Sequence, residues 1–417
     1  MQRVEGDRMK RALLATTGLI GAGLGSLAPL DQAWAADGIQ LSVGGFFREA
    51  YMAVIDDDDA GEDGFNEPGF DRNTDGFFND AEIHFVGRTT LDNGLEVGAR
   101  VELEGESEGL EGGDQIDEAW VWFSGGWGEL RIGSDDDALA NSCIMPPGGT
   151  ANFSAFSPNQ WGANSVNSNT ACTGADALSD AQKIIYITPV LYGFQLTASY
   201  TPEESAETHT QGAGPHLGMT FKNGDFSPDY NVSAYLTYTY EGDDWGLTWG
   251  GGMALGRGTN TLEGGGVTFD TNDQDFYQTG LSLRLGNFAI GGAFEYFNDV
   301  TNVTIKSGNA KVNVEQNGWV AGIGAAYTLD AWTLGAQYSY RQDKQNNEFF
   351  APPIMAETVQ QRAVLTANYA LGSGINLDAE LGYTWVDIDV SDDVPDFVLT
   401  QDNYDAFEIG IGTAITF

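Results

Sequence analysis

The chain has 417 residues, of which 56 are glycine, 12% are aromatic and two are cysteine, and its formal charge is −43. So acidic a chain does not bind nucleic acid, which requires a basic surface. Two readings of the charge stay open: a solubilising surface, or acidic loops that gather cations.

Met9-Lys10-Arg11 precedes an apolar run over residues 12–30, and Ala33-Trp34-Ala35 supplies small residues at the two positions a signal peptidase reads. Residues 1–35 are therefore expected to be a secretory signal peptide cut before Ala36, with Met9 as an alternative start. What remains, residues 36–417, holds 14 basic and 58 acidic residues, a formal charge of −44. No later stretch approaches the ~20 apolar residues a transmembrane helix needs.

Strict alternation of apolar and polar residues predicts strands with one apolar and one polar face. Residues 39–55 read as a first strand, although Gly44-Gly45 blurs its faces. After an acidic loop the pattern returns over 77–91, with Ile83, Phe85, Thr89 and Leu91 on one face and Glu82, His84, Arg88 and Thr90 on the other. Asp92-Asn93-Gly94 makes a tight turn, since Asn-Gly takes positive φ readily. The next strand alternates most cleanly: Leu95, Val97, Ala99, Val101 and Leu103 against Glu96, Arg100, Glu102 and Glu104. Such a charged face is no protein core; it looks into water while its reverse looks into something apolar. Strands over 115–124 and 129–134 follow, and pattern alone does not decide the faces of Trp120 and Trp122. Residues 136–182, rich in Asn, Ser and Gly and containing Cys143 and Cys172, break the rhythm over a length that marks a functional or disordered loop. Paired strands then recur to the end of the chain, where Phe407, Ile409, Ile411, Thr413, Ile415 and Phe417 share one face.

Sixteen candidate strands are joined alternately by seven short turns and eight longer polar loops. Trp127, Tyr192, Trp245, Phe288 and Trp332 crowd the short turns, as one aromatic girdle of a membrane protein would. A sheet in lipid must close on itself so that every backbone group is paired. With ~16 strands the lumen is too wide for side chains to fill. The expected fold is thus an all-β, 16-stranded antiparallel transmembrane barrel with short periplasmic turns and long external loops. The expected function is a water-filled channel for passive diffusion across an outer membrane.

The leader, the sixteen-strand rhythm, the long segment after the fifth strand and the terminal Phe417 resemble the general porins of Gram-negative bacteria. Thr74-Asp75-Gly76 to Asp92-Asn93-Gly94, and Gln115-Ile116-Asp117-Glu118-Ala119, are most similar to the alphaproteobacterial, Rhodobacter-type porins. The resemblance spans residues 36–417. It implies location in the outer membrane, a homotrimer among bilayer lipid and lipopolysaccharide, diffusion of ions and small hydrophilic solutes, and a third external loop, 136–182, folded into the barrel as a constriction.

Three constellations could carry chemistry. Arg48, Arg88, Arg100 and Arg131 come from neighbouring strands, while Asp135, Asp136 and Asp137 open the long loop and Asp176 and Asp180 close it. A positive wall facing a negative loop gives a transverse field across the constriction; the alternative is that the arginines only neutralise pore-lining acids such as Glu82, Glu96, Glu102 and Glu104. Cys143 and Cys172, in an exported protein, form either a disulfide or two free thiols. Asp71, Asn73, Asp75 and Glu82 match a calcium-loop spacing over positions 71–82; the alternative is a solvated acidic loop. No cofactor is required, and Ca2+ in the first external loop is the one candidate. The competing function classes are a solute-selective channel, for which Tyr235 and Phe297 are candidate binding aromatics, a structural or adhesive barrel, and an enzyme. The three histidines, His84, His209 and His216, have no nucleophile positioned beside them, so an enzyme is not expected.

Overall fold

The computed structural model describes residues 38–56, 75–105, 116–156, 171–172, 181–202, 230–257, 261–264, 267–271, 273–298, 303–307, 310–348, 354–390 and 404–417. Residues 1–35, expected to be a signal peptide, lie outside them. In chain order the strands are β1 (Gln40–Asp56), β2 (Asp75–Thr90), β3 (Glu96–Glu104), β4 (Ile116–Gly125), β5 (Gly128–Ser134), β6 (Gln182–Ile187), β7 (Phe194–Thr201), β8 (Tyr230–Glu241), β9 (Trp245–Arg257), β10 (Thr261–Gly264), β11 (Val267–Thr271), β12 (Gln274–Leu285), β13 (Phe288–Asn298), β14 (Val303–Ser307), β15 (Ala310–Leu329), β16 (Trp332–Asn347), β17 (Ile354–Gly372), β18 (Ile375–Val390) and β19 (Tyr404–Thr416).

Sixteen of these form one closed antiparallel ring in which β19 returns to pair with β1. The terminal Phe417 completes the seam: its N–H donates to Gly45 O, and Gly45 N–H donates to Phe417 O, both at 3.1 Å. The other three, β10, β11 and β14, are a correction to the sequence reading, which placed 261–271 and 303–307 in loops. They ladder one after another onto the first residues of β15, forming a short ribbon off the ring. Their alternation covers only four or five residues each, too short to be told from a polar loop. The sixth strand, read from sequence over 183–191, ends at Ile187, because Pro189 has no N–H for the ladder.

Seven short turns join ring strands at one end. At Tyr192-Gly193 both residues have positive φ, 55° and 89°, the backbone of a type I′ hairpin turn. Outward positions carry Ile323, Leu365 and Ile411, all more than half exposed, and the aromatics expected near the turns (Trp127, Tyr192, Trp245, Phe288 and Trp332) also point outward. Each such side chain left in water forgoes on the order of 2 kcal/mol of burial, so this surface is stable only against hydrocarbon. Among the described residues no helix is long and apolar enough to cross a membrane; the crossing is made by strands.

The described stretch 136–156 of the third external loop runs inside the ring and is held to the wall at successive points. Ala138 N–H donates to Ser233 Oγ of β8 at 2.8 Å, and Ser142 Oγ to Thr197 Oγ1 of β7 at 2.9 Å. Gln278 of β12 donates to Ile144 O at 3.2 Å, and Gln337 of β16 to Pro146 O at 2.9 Å. Ser339 Oγ reaches Ala155 O at 2.8 Å, and Asn152 reaches Asp378 of β18 at 2.8 Å. Leu139 and Ala171 of the loop pack with Tyr235, Ala254, Phe276, Ala293, Phe297 and Val320 of the wall, so the buried apolar core lies between loop and barrel. Cys143 and Cys172 form a disulfide, their Cα atoms 5.8 Å apart. In the chain-entropy model a bridge closing a loop of this size stabilises by about 3–4 kcal/mol.

Two inward glycines set how closely the loop lies. A Cβ on Gly324 would overlap the Pro147 carbonyl, and one on Gly335 the Gly148 carbonyl, so neither position tolerates a side chain while the loop is seated. Replacing Gly324 by valine overpacks this contact, at a cost of about 1–3 kcal/mol. Limited proteolysis of Gly324→Val in detergent is expected to cut within 136–182 faster than in the parent, with the far-UV strand signal unchanged.

Candidate functional site: the inner wall and the loop seated in it

Alternation puts the even-numbered residues of β1 to β4 on the inward face, and cross-strand register then decides which of them meet. Register sets Arg48 opposite Asp80, His84 opposite Glu102, Glu82 opposite Glu104, and Arg100 opposite Trp120. Arg48 NH1 lies 2.7 Å from Asp80 Oδ2. Arg100 pairs with Glu102 and donates to His84 Nδ1 at 2.9 Å. Arg131 on β5 meets Glu129 at 2.7 Å and Asp135, at the root of the loop, at 3.1 Å. Trp120, undecided from sequence, turns inward and lies between Arg100 and Arg131, 5.2 and 5.6 Å from ring centroid to guanidinium carbon. Trp122 is also inward and donates its indole N–H to Glu96 at 3.1 Å. Arg88 shares the inward face two positions nearer the β2–β3 turn than Val86, the register partner of Arg100.

Arg48, Arg100 and Arg131 thus form one band on β1–β5, each already paired with an acid of its own wall. The loop acids are arranged differently from the sequence expectation. Asp135 is spent on Arg131, and Asp137 turns back to accept the N–H groups of Leu139 and Ala140 at 2.8 and 2.9 Å, capping its own turn. A simple positive wall facing a negative loop is therefore not what the described residues form. Asp176 and Asp180 lie outside them.

The calcium-loop match is also revised. Asp71 and Asn73 lie outside the described residues. Asp75 and Glu82 sit seven positions apart on the continuous strand β2, roughly 23 Å at about 3.3 Å per residue, so one ion cannot take both. Asp75 accepts instead from the Tyr51 hydroxyl at 2.7 Å. Spacing suited to a tight loop means nothing once the segment is extended.

Tyr235 and Phe297, candidate solute-binding aromatics, are buried under the seated loop at 0% and 2% exposure. The Tyr235 hydroxyl accepts from Ile144 N–H at 3.2 Å and donates to Gln278 at 2.5 Å. Sequence reasoning missed a further charged group: Arg362 of β17 lies 2.6 Å from Glu380 of β18 and 2.8 Å from Glu408 of β19, all three buried. Removing one partner of such a pair costs about 3–5 kcal/mol. Its members are up to 46 residues apart in the chain, and only strand register brings them together.

A model of the Gram-negative porin family matches residues 23–389. The chain belongs to the Gram-negative porin family. No curated protein matches it. Among solved structures the porin is similar to OmpTΔL8, a loop L8 deletion mutant of an outer membrane protein of Vibrio cholerae, with a TM-score of 0.53 at 15% identity over 91% of this chain and 100% of that one. An anion-selective porin from Comamonas acidovorans scores 0.50 at 16% identity, with the same coverage. A mutant of the Rh. blastica porin scores 0.50 at 14% identity, also over 91% of this chain and 100% of that one. At these identities the likeness concerns the fold. The porin is a passive, water-filled channel across the outer membrane for ions and small hydrophilic solutes.

Asp136 gives the loop root a pH dependence. Burial, then the neighbouring Asp137 and Asp135 carboxylates, raise its carboxyl to about 7, against the opposing pull of Lys183. A raised carboxyl contributes stability that is full below its unfolded value near 3.8 and is lost as pH rises through about 7. Thermal unfolding of the porin is expected at higher temperature at pH 6 than at pH 8, and Asp136→Asn should reduce that difference.

Proposed function

We propose that this porin is a general diffusion pore with a cationic preference, its eyelet bounded by the arginine band of Arg48, Arg88, Arg100 and Arg131 on one side and by loop 136–182 on the other. The observation that carries this reading is the one-sided seating of the loop. Its hydrogen-bonded anchors beyond the root run from β7 to β18 and Phe153 packs on Ala50 and Met52 of β1, while Arg48, Arg100 and Arg131 are paired with wall acids and Asp135 rather than with the body of the loop. Wall acids sit beside the arginines, which leaves the strongly acidic chain to favour cations. A solute-selective channel would need exposed recognition groups on the inner wall. Its two candidate aromatics are held beneath the loop and meet no solute.

Assembly as a homotrimer, surrounded by bilayer lipid and lipopolysaccharide, belongs to the same proposal. A likeness to the trimer form of Vibrio cholerae OmpT, at a TM-score of 0.52 and 13% identity, is consistent with it.

Conductance and reversal potential in planar bilayers test the eyelet. Arg100→Glu changes the local charge by two and leaves Glu102 without its partner, so the reversal potential in a salt gradient should move toward the cation limit. An unchanged potential would remove Arg100 from the eyelet, and a large conductance indifferent to sugars or organic anions identifies a general pore.

A further inference from the structure

Glu82 and His84 are two apart on the inward face of β2, and Glu102 stands directly opposite His84 on β3. Their polar atoms converge: His84 Nε2 is 2.6 Å from Glu82 Oε2 and 3.3 Å from Glu102 Oε2. All three side chains are partly to fully shielded, at 16%, 18% and 6% exposure for His84, Glu82 and Glu102, yet they open on the lumen rather than on lipid. One imidazole nitrogen and two carboxylate oxygens, each within 4.8 Å of the others, make a donor set for a borderline dication. Glu82 also converges with Glu104 of β3 and Asp117 of β4. Two carboxylates therefore flank the imidazole and two more gather around Glu82, while Arg100 is a cation in contact with the ring.

We propose that His84, Glu82 and Glu102 bind a zinc-class dication on the inner wall of the pore. The imidazole separates this site from one for calcium or magnesium, which take oxygen ligands almost exclusively. The hydrogen bonding fixes what binding must do. Arg100 donates to Nδ1 at 2.9 Å, so the neutral ring carries its proton on Nε2, between the two carboxylates. Zn2+ takes the Nε2 lone pair, the ring proton moves to Nδ1, and no proton is released from the imidazole. Nδ1–H then confronts the guanidinium, so Arg100 must swing away from the ring. Metal and arginine compete for one histidine, and occupancy changes the charge and position of groups lining the channel. Only this last consequence rests on the proposed eyelet.

The test uses the full folded porin in detergent, titrated calorimetrically with Zn2+ and, separately, with Mg2+. One Zn2+ per chain is expected, undisturbed by equimolar Mg2+. His84→Ala should weaken binding more than about tenfold, and Arg100→Gln should tighten it by about tenfold. If His84→Ala does not fold, Glu102→Gln serves with the same expected loss. In bilayers, Zn2+ should change the conductance of the parent and leave that of His84→Ala at its own metal-free value. No zinc binding by a folded, conducting parent, or equal binding by His84→Ala, overturns the site. Zinc binding by a protein that does not conduct would instead overturn the channel reading and leave the site standing.

Discussion

Every backbone N–H and C=O that enters hydrocarbon must find a partner within the protein, because lipid offers none. That requirement fixes the ring. Fifteen successive pairings of neighbouring ring strands leave two free edges, and only the pairing of β19 with β1 removes them. The seam extends to the last residue, where Phe417 and Gly45 exchange hydrogen bonds. Closure dictates alternation, alternation sends charged side chains to the inside, and sixteen strands make that inside too wide to fill. The channel follows from the pairing rule as directly as the fold does.

The lumen is then divided unequally. From β7 to β18 the wall is built to receive the loop, with Ser, Thr and Gln to bond its backbone and glycines where the chain comes closest. From β1 to β5 the wall keeps its charged groups in reach of water, and these are mutually paired rather than isolated. A bare row of arginines facing bare aspartates would be costly in a partly desolvated space. The observed pairing lowers that cost and weakens the transverse field. Burying Asp137 as a turn cap serves the loop's shape at the expense of its charge.

The fold was largely legible because its signal is local. Val97 through Glu104 alternate without exception, Asn93-Gly94 and Tyr192-Gly193 are turns by their own chemistry, and the turn-side aromatics announce a membrane interface. The disulfide could be named as one of two alternatives from two cysteines in an exported loop. Non-local features were out of reach. Trp120 and Trp122 alternate with Val121 and Phe123, so neither face looks polar, and their inward setting depends on Arg100, Arg131 and Glu96 from adjoining strands. The Arg362–Glu380–Glu408 group needs two registers at once. The loop's anchors lie 55 to 226 residues away from it in sequence, and no spacing motif encodes them. The calcium-loop match failed for the converse reason: a local spacing was legible, but the strand that contains Asp75 and Glu82 spreads it out.

The central claim is that apolar faces meet lipid while charged faces meet a wet interior. Single cysteines test it most directly, since the two native cysteines are bound to each other. In intact membranes treated with a hydrophilic, membrane-impermeant maleimide, Arg100→Cys and Arg131→Cys should label, and Ile323→Cys and Ile411→Cys should not. Labelling of the isoleucine positions with silence at the arginine positions would contradict the assignment and the channel with it.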